Sequence, residues 1–213
     1  MGDSQRTGDR RLSVLHLVKG LGPGGAEALL VELARARDPE SLDLTAAYVV
    51  PEKCHHVPAL TELGVEVVEL GPRWIGSLRS LLAELDPDVV HAHSPVLASA
   101  ARILVRRRPS RPLMVTTEHN RWPRHRRPTR WVNRLTRRLD DWSLAVSADV
   151  ASPMAGRRRH PVEVLVHGID LDATRDAADR EAVRAELGVS DDQVVIGTVA
   201  NLRPEKGHDV LLR

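Results

Sequence analysis

The stretch "LSVLHLVKGLGPGGAEALLVELARAR", residues 12–37, decides how the chain folds. It begins with an apolar run over 12–18, which is typical of a strand that is buried on both faces. A glycine-rich loop follows at 20–25, and over 26–37 the apolar residues recur at the spacing of one helix face. A buried strand that leads through glycines into an amphipathic helix predicts the first half of a β–α–β unit.

The alternation of strand and helix continues along the chain. Further strands are predicted over 42–50, 65–70, 88–93, 112–119, 143–147 and 162–168, and further helices over 57–64, 75–85, 96–107 and 129–141. Strands separated by helices of this kind form parallel sheets through right-handed crossovers. We therefore predict an α/β fold with a doubly wound, mostly parallel sheet of the Rossmann-like type.

The character of the sequence changes at both ends of this alternating region. We assign residues 1–11 to a flexible polar tail and 12–169 to the Rossmann-like domain. Residues 170–192 are charged and predict a connector with a short helix that ends at Gly188. Residues 193–213 predict the first strand and the helix start of a second, truncated domain. Since its apolar strand would lack sheet partners, we expect that strand to be exposed, loosely docked on the first domain, or disordered.

The composition limits the possible functions. The chain has 213 residues, of which 42% are hydrophobic and 28% charged, as in ordinary globular proteins. Only 2% are aromatic, which disfavours stacking platforms for single-stranded nucleic acid. The lone Cys54 excludes an internal disulfide and a thiolate zinc cage. The sequence has no long apolar segment and no signal peptide, so we expect a cytoplasmic protein that can lie at the inner face of the membrane.

The glycine loop is the first candidate site. Glycines at a helix start free backbone amides to face an anion. Gly22 and Gly24 fit the first two positions of a dinucleotide fingerprint, but the third position is Glu27. The acid that usually ends the second strand is also missing. Anion binding is therefore favoured over a classical NAD site, and an NAD-type oxidoreductase stays open as an alternative.

Histidines follow two of the predicted strands. His91 and His93 share one face of a strand, where either could also be a packing residue with satisfied hydrogen bonds. His119 is the stronger candidate for acid, base or orienting chemistry, because it follows a strand beside Glu118 and Asn120. No i, i+4 histidine pair with a carboxylate is present, so we predict no metal site.

Cations mark two further stretches. Residues 102–138 contain thirteen arginines and one acid, and Trp122 and Trp131 lie among them. Several interpretations of this stretch are open. It could make a peripheral contact with an anionic membrane through 121–138, bind nucleic acid, or be a solvated face. The chain could also be a non-catalytic binding module. Among these alternatives nucleic acid is the less favoured partner, because the aromatic content is low, and we expect no nucleic-acid partner. In the second stretch, Arg203 and Lys206 follow the last predicted strand and could grip a diphosphate.

Six segments in register resemble family 4 glycosyltransferases, which are retaining sugar-nucleotide enzymes of the GT-B fold. The segments are "GLGPGGAE" (20–27), "DPDVVHAHSP" (86–95), "VTTEHN" (115–120), "AVSADVASPM" (145–154), "VLVHGIDLD" (164–172) and "VIGTVANLRPEKGHDVLL" (195–212). The resemblance implies an N-terminal domain that binds the acceptor and a second domain that binds a nucleotide sugar.

The resemblance also implies site residues. His119 would lie at the reaction centre, and Arg203 and Lys206 would neutralise the leaving diphosphate without a metal. The co-substrate would be a nucleotide-diphosphate sugar, with no other cofactor, and the acceptor a lipid-linked or other glycoconjugate. The residues implied to contact acceptor or phosphate are Gly22, Gly24, Gly25, Glu27, His93 and Asn120.

Three departures from the family pattern qualify these expectations. The E-x7-E element that grips the donor sugar belongs to the later part of the second domain, so we expect this chain alone to be nearly inactive. The family pattern has Gly-Arg-Leu where this chain has Asn-Leu-Arg at 201–203, so Arg203 lies one position later than the arginine of the family. His167 stands where the family usually has asparagine.

Overall fold

The computed structural model describes residues 10–120, 127–154, 161–176, 179–200, 202 and 206–213. It contains two compact units, Met1–Ile169 and Asp170–Arg213, and each is described by itself. Residues 1–9 of the predicted tail lie outside the described residues. Arg10 is not free, because its guanidinium donates to the carboxylate of Asp88 at 2.6 Å.

The first unit is a parallel sheet of seven strands in the order β3-β2-β1-β4-β5-β6-β7. Every pairing between neighbouring strands is parallel. The predicted doubly wound α/β fold is therefore confirmed. The strands are β1 Leu12–Val18, β2 Leu42–Tyr48, β3 Glu66–Glu69, β4 Val89–Ala92, β5 Leu113–Glu118, β6 Trp142–Ala145 and β7 Val162–Val164.

Helices connect successive strands. In the first unit they are α1 Gly25–Ala36, α2 Val57–Glu62, α3 Trp74–Leu85, α4 Pro95–Arg106, α5 Arg127–Thr136 and α6 Ala148–Ala151. The helix predicted over 129–141 is shorter than expected, since α5 ends at Thr136 and a 3₁₀ turn follows at Arg137–Leu139. The chain leaves the helix there because β6 begins at Trp142 and Asp140 turns inward.

The apolar run of β1 serves two cores, because successive side chains of a strand point to opposite faces. Leu15 and Leu17 pack with α3 and α4 on one face. Val14 and Val18 pack with α1 and α2 on the other face. A strand buried on both faces needs apolar residues at nearly every position, which explains why the run is continuous. The exceptions within it are Ser13, near its start, and His16.

The strand order places a crevice beside the glycine loop. From β1 the chain proceeds to β2 and β3 on one side, and then crosses to β4 and the later strands on the other. The loops that leave β1 and β4 therefore diverge at the carboxyl edge of the sheet. Ligands of open α/β sheets bind at this kind of switch point.

The second unit contains three short helices among its described residues, α7 Leu171–Asp176, α8 Arg180–Leu187 and α9 His208–Leu211. The short helix predicted in the connector is present as α8. Its first turn is capped by Asp179, which accepts from the Ala182 amide at 2.8 Å, and it ends at Gly188 with φ 65. That left-handed conformation favours glycine.

The strand predicted over 194–199 is not formed. Its residues are assigned neither helix nor strand, and the exposed fraction of Val194 is 88%. A strand needs a neighbour to take up its backbone hydrogen bonds, and none of the described residues pairs with this segment. The expected exposure of the segment is observed.

Candidate active site at the carboxyl edge of the sheet

The glycine loop after β1 packs against the segment that follows β2. The Leu21 amide donates to the Lys53 carbonyl at 2.6 Å, and the His56 amide donates to the Leu21 carbonyl at 2.8 Å. A Cβ on Gly20 would lie 2.7 Å from the Cβ of Lys53, so only glycine fits at that position. A Cβ on Gly22 would make ordinary contact at 3.6 Å. Packing therefore requires Gly20, which the sequence did not single out.

The next glycines begin α1. Gly24 is the N-cap residue and has no side chain to satisfy the first amides of the helix. A Cβ on Gly24 would collide with Oε2 of Glu27, because that carboxylate lies back against the helix start. A Cβ on Gly25 would meet nothing within 4 Å. The helix start therefore already holds a negative charge, which its dipole stabilises.

Three neighbouring strands direct histidines toward the same edge. His16 of β1 lies in register with His91 of β4, and His91 in register with Val115 of β5. Side chains in register in a parallel sheet point to the same face, and so do residues two apart along a strand. His93 and His119 follow the strands β4 and β5 with the same parity. The fold therefore brings four histidines from three strands onto one face.

His93 lies at the centre of a hydrogen-bonded row of imidazoles, which we call the histidine chain (His16, His93 and His119). Its Nε2 lies 3.1 Å from Nδ1 of His16, which is buried. Its Nδ1 lies 3.2 Å from Nε2 of His119, which is half-buried at the edge. His91 is held separately, with its Nε2 2.8 Å from Oγ1 of Thr117.

These imidazoles are uncharged at neutral pH. Burial lowers the pKa of His16 to about 4. Burial, with smaller contributions from the neighbouring His16 and His119, lowers the pKa of His91 to about 3. Burial and four neighbouring histidines hold the pKa of His93 well below its usual value. Burial also lowers the pKa of His119 to about 4, although Glu118 opposes this shift. A ligand at this edge therefore meets neutral imidazole rather than imidazolium.

The histidine chain has two possible proton arrangements, because a neutral imidazole carries one N–H. In one, His16 donates to His93, His93 donates to His119, and Nδ1 of His119 carries a proton. In the other, both bonds run in the opposite direction and Nδ1 of His119 is an acceptor. The two bonds must therefore reverse together for His119 to change from donor to acceptor.

His167, the departure from the family pattern, lies beside the end of the histidine chain. Its ring stacks on that of His119 with centroids 5.6 Å apart and planes 12° apart. Nε2 of His167 is buried, and none of the described residues gives it a hydrogen-bond partner. Burial lowers the pKa of His167 as well. A buried, unsatisfied nitrogen next to His119 is suited to a ligand hydroxyl or phosphate oxygen.

Three of the histidines have the proximity of metal ligands. One ring nitrogen from each of His16, His91 and His93 lies within 4.8 Å of the others. Imidazole is a good ligand for zinc and similar ions. This trio contains no carboxylate, so a divalent charge on it would be buried without compensation. Two of its nitrogens already pair with each other, and we therefore interpret the trio as hydrogen-bonded imidazoles.

The opposite face of β5 carries a second polar group, which we call the ionic cluster (Arg102, Asn133, Asp140, Glu118 and Thr116). Arg102 of α4 is buried and binds Asp140 through two hydrogen bonds of 2.6 and 2.8 Å. It also donates to Oδ1 of Asn133 at 2.5 Å. Asn133 donates to Glu118 at 2.9 Å, and Thr116 donates to Asp140 at 3.1 Å. These hydrogen bonds therefore hold the carboxyl end of β5, which precedes His119, from the face of the sheet opposite the histidine chain.

The residues predicted from sequence have different outcomes. His93 and His119 are in hydrogen-bond contact, and Asn120 is exposed beside them. Lys206 is exposed in the second unit. Arg203 lies outside the described residues. Whether any of these residues binds a substrate stays a prediction.

Sequence reasoning missed His16 and the ionic cluster. Each had a signal: His16 is the one polar interruption of the apolar β1 run after Ser13, and Arg102 lies among the apolar inward positions of α4. Both residues are buried in the structure. A polar residue on the buried side of an element indicates a partner inside the protein, which one sequence cannot name.

None of the helices in the described ranges is long and apolar enough to cross a bilayer.

The sequence is similar to known glycosyltransferases. The model of Glycosyltransferase Family 4 matches residues 12–173. The chain is 28% identical over 228 residues to a Bacillus subtilis (strain 168) protein named "Putative glycosyltransferase EpsF", and this match covers 94% of the chain and 56% of that protein. The chain thus spans about half the length of the relative, and the family match disfavours an oxidoreductase.

Solved structures share the fold. HepE of Anabaena in complex with UDP and glucose superposes with a TM-score of 0.75 at 20% identity, over 95% of this chain and 57% of that one. A glycosyltransferase of Rickettsia africae superposes with a TM-score of 0.72 at 17% identity, over 95% of this chain and 56% of that one. These likenesses show the shared fold, and the family match over most of the chain shows that it belongs to glycosyltransferase family 4.

Proposed function

We propose that this chain is the acceptor-binding half of a retaining glycosyltransferase. The intact enzyme transfers a sugar from a nucleotide-diphosphate sugar to a lipid-linked or other glycoconjugate acceptor. The observation that carries the proposal is the position of His119, a neutral imidazole at the sheet's carboxyl edge that His93 anchors through one nitrogen. HepE, which shares the fold, is described in complexes with UDP, glucose and UDP-glucose.

His119 acts at the reaction centre as an orienting group. His93 engages its Nε2, so Nδ1 is the nitrogen that turns toward a substrate hydroxyl. Because the ring stays neutral, it can donate or accept one hydrogen bond without adding charge. His167 supports the same subsite through its unsatisfied Nε2.

The glycine loop binds the acceptor side of the reaction. Glu27 already occupies the start of α1 with its carboxylate. A carboxylate there accepts hydrogen bonds from sugar hydroxyls and weakens the attraction of the helix start for a second anion. Gly22, Gly24 and Gly25 therefore form a close-approach surface for an acceptor hydroxyl group, and the exposed Asn120 borders it.

The proposal for how the donor is bound is based on the sequence. Arg203 and Lys206 bind the diphosphate and stabilise its charge as it leaves, which makes a metal unnecessary for that step. We assign the rest of the donor site to the part of the relative's length that this chain does not span. The chain alone is therefore expected to transfer sugar slowly or not at all.

The test uses the chain and a longer form that also carries the donor-binding half found in its relatives. Each is assayed for transfer from UDP-sugars, and the anomeric configuration of the product is read by NMR. We expect transfer with retention from the longer form only. His119→Asn should lower kcat by about 10²–10³-fold with less effect on KM. Gly76→Ala in α3 is the control, because its Cβ would meet nothing within 4 Å and Gly76 lies outside the glycine loop.

Three results would contradict this proposal. Sugar transfer by the chain alone at a rate typical of enzymes would show that it is more than the acceptor-binding half of an enzyme. An inverted product would refute retention. Tight binding of NADH would favour the oxidoreductase alternative.

A further inference from the structure

Helix α5 is turned with its polar side inward. Asn133 is completely buried, whereas the exposed fractions of Trp131, Val132 and Leu135 are 65%, 47% and 60%. A surface helix normally shows the reverse pattern, with its apolar stripe against the core. We call Trp131, Val132 and Leu135 the apolar face of α5.

The ionic cluster fixes this orientation. Asn133 accepts from Arg102 and donates to Glu118, and Oγ1 of Thr136 accepts from Arg102 at 3.1 Å. Turning the helix to bury Trp131 would break these bonds and leave the buried Arg102 with fewer partners. An unsatisfied buried charge is costly, so the apolar face is held outward by the interior of the protein.

Arginines border the apolar face. With about 100° between successive residues of a helix, Arg127 and Arg134 fall next to Trp131 on one side. Arg138 continues the row in the 3₁₀ turn, and all three arginines are exposed. The sequence from His119 to Leu139 contains no acidic residue. The surface is therefore apolar in the middle and cationic along one border.

We propose that the apolar face of α5, with Arg127, Arg134 and Arg138, docks on an anionic lipid bilayer. Indole and aliphatic side chains enter the headgroup boundary, while the guanidinium groups reach the lipid phosphates. Nucleic acid would engage the arginines but leave Val132 and Leu135 in water. A protein partner would have to supply several carboxylates around an apolar centre. The charge and the apolar face together fit a lipid surface best.

A hydrogen bond connects the docked helix α5 to the strand end that carries the candidate active site. Glu118, which precedes His119, is a hydrogen-bond partner of Asn133 on α5. Docking at α5 therefore holds the carboxyl end of β5 at a fixed distance from the bilayer. The docking proposal does not depend on glycosyl transfer, and its failure would leave the proposed function standing.

The test is flotation of the chain with vesicles of phosphatidylcholine, with and without phosphatidylglycerol. We expect binding to the anionic vesicles only, weakened by salt. Trp131→Ser with Leu135→Ser should weaken binding at least about tenfold. Arg134→Glu with Arg138→Glu should weaken it at least about 25-fold, at about fivefold for each lost cation.

The control is Leu113→Ser with Trp142→Ser, because these residues are exposed by 56% and 50% at the amino ends of β5 and β6. The control should bind anionic vesicles like the unaltered chain. Circular dichroism melts check that each variant folds, and the arginine reversal tests the face independently if the serine variant does not fold.

Four outcomes would overturn the proposal. They are equal binding to neutral vesicles, unchanged binding by both α5 variants, a change of oligomeric mass in those variants with vesicle binding intact, and binding to RNA without binding to vesicles.

Discussion

The two faces of strand β5 bury polar groups in opposite ways. On one face the ionic cluster pairs the charge of Arg102 with that of Asp140 and includes Asn133 and Glu118 as hydrogen-bond partners. On the other face the histidine chain is uncharged and runs from buried His16 to half-buried His119 at the sheet edge. The ionic cluster is closed within the protein, whereas the histidine chain ends where a ligand can bind.

This difference separates stability from function. A buried charge that loses its partner costs several kcal/mol, so the ionic cluster must stay intact for the fold to persist. A neutral imidazole that loses one hydrogen bond costs less. The histidine chain can therefore gain or lose a hydrogen-bond partner at Nδ1 of His119, its open end, while the ionic cluster keeps β5 and α5 in place.

The largest expected effect is on the ionic cluster. Arg102→Met should lower the free energy of unfolding by about 3–5 kcal/mol, because Asp140 would stay buried without its cation. The measurement is urea unfolding followed by circular dichroism.

Arg108→Met is the matched control, because Arg108 also binds its carboxylate partner, Asp86, at 2.6 Å but Asp86 is 56% exposed. This variant should lose no more than about 1 kcal/mol. Equal losses in both variants would mean that burial does not distinguish the two ion pairs.

The second effect comes from the histidine chain in acid. The folded protein lowers the pKa of His16 to about 4, while the unfolded chain titrates at the usual value of 6.5. Between these pH values the unfolded chain binds a proton that the folded protein does not, so the free energy of unfolding falls as pH falls. His16 alone should contribute a loss of roughly 3 kcal/mol by pH 4.

Urea unfolding at a series of pH values measures this loss. His16→Asn, whose amide can still pair with His93, should give a shallower dependence between pH 6.5 and 4. An unchanged slope in that variant would show that the acid sensitivity arises elsewhere.

The smallest effect concerns Glu27, another polar group that is open at the same edge. Gly24→Ala should displace the carboxylate of Glu27. In the longer form that carries a donor-binding half, the KM for the acceptor should rise about tenfold, the cost of one charged hydrogen bond. Steady-state kinetics measures it.

Gly76→Ala is the control, because its Cβ would also meet nothing and Gly76 lies in α3, outside the glycine loop. It should leave the acceptor KM unchanged. A rise in both variants would indicate that the change in KM does not come from displacing the carboxylate of Glu27.

The fold was largely readable from the sequence. The predicted strand over 112–119 corresponds to β5, Leu113–Glu118, and the predicted helix over 75–85 to α3, Trp74–Leu85. Such elements are predictable because their apolar periodicity is local. The run over 194–199 has the same apolar character but forms no strand, because strand formation depends on a neighbouring strand.

The candidate site was only partly readable. His93 and His119 were chosen from their places after two strands, and the structure joins them at 3.2 Å. His16 lies 77 residues from His93 in sequence, and no local pattern connects the two. The sequence also favoured an anion at the start of α1, where the structure has the carboxylate of Glu27.

By itself the sequence determined the fold class, the order of strands and helices, and the family motifs, because each of these depends on residues that are close together along the chain. Only the tertiary structure decided which strands lie side by side, and hence that His16 meets His93 and that Arg102 turns α5 outward. The physical reason is that periodicity fixes the face on which a side chain lies, whereas its partner depends on strand order and packing.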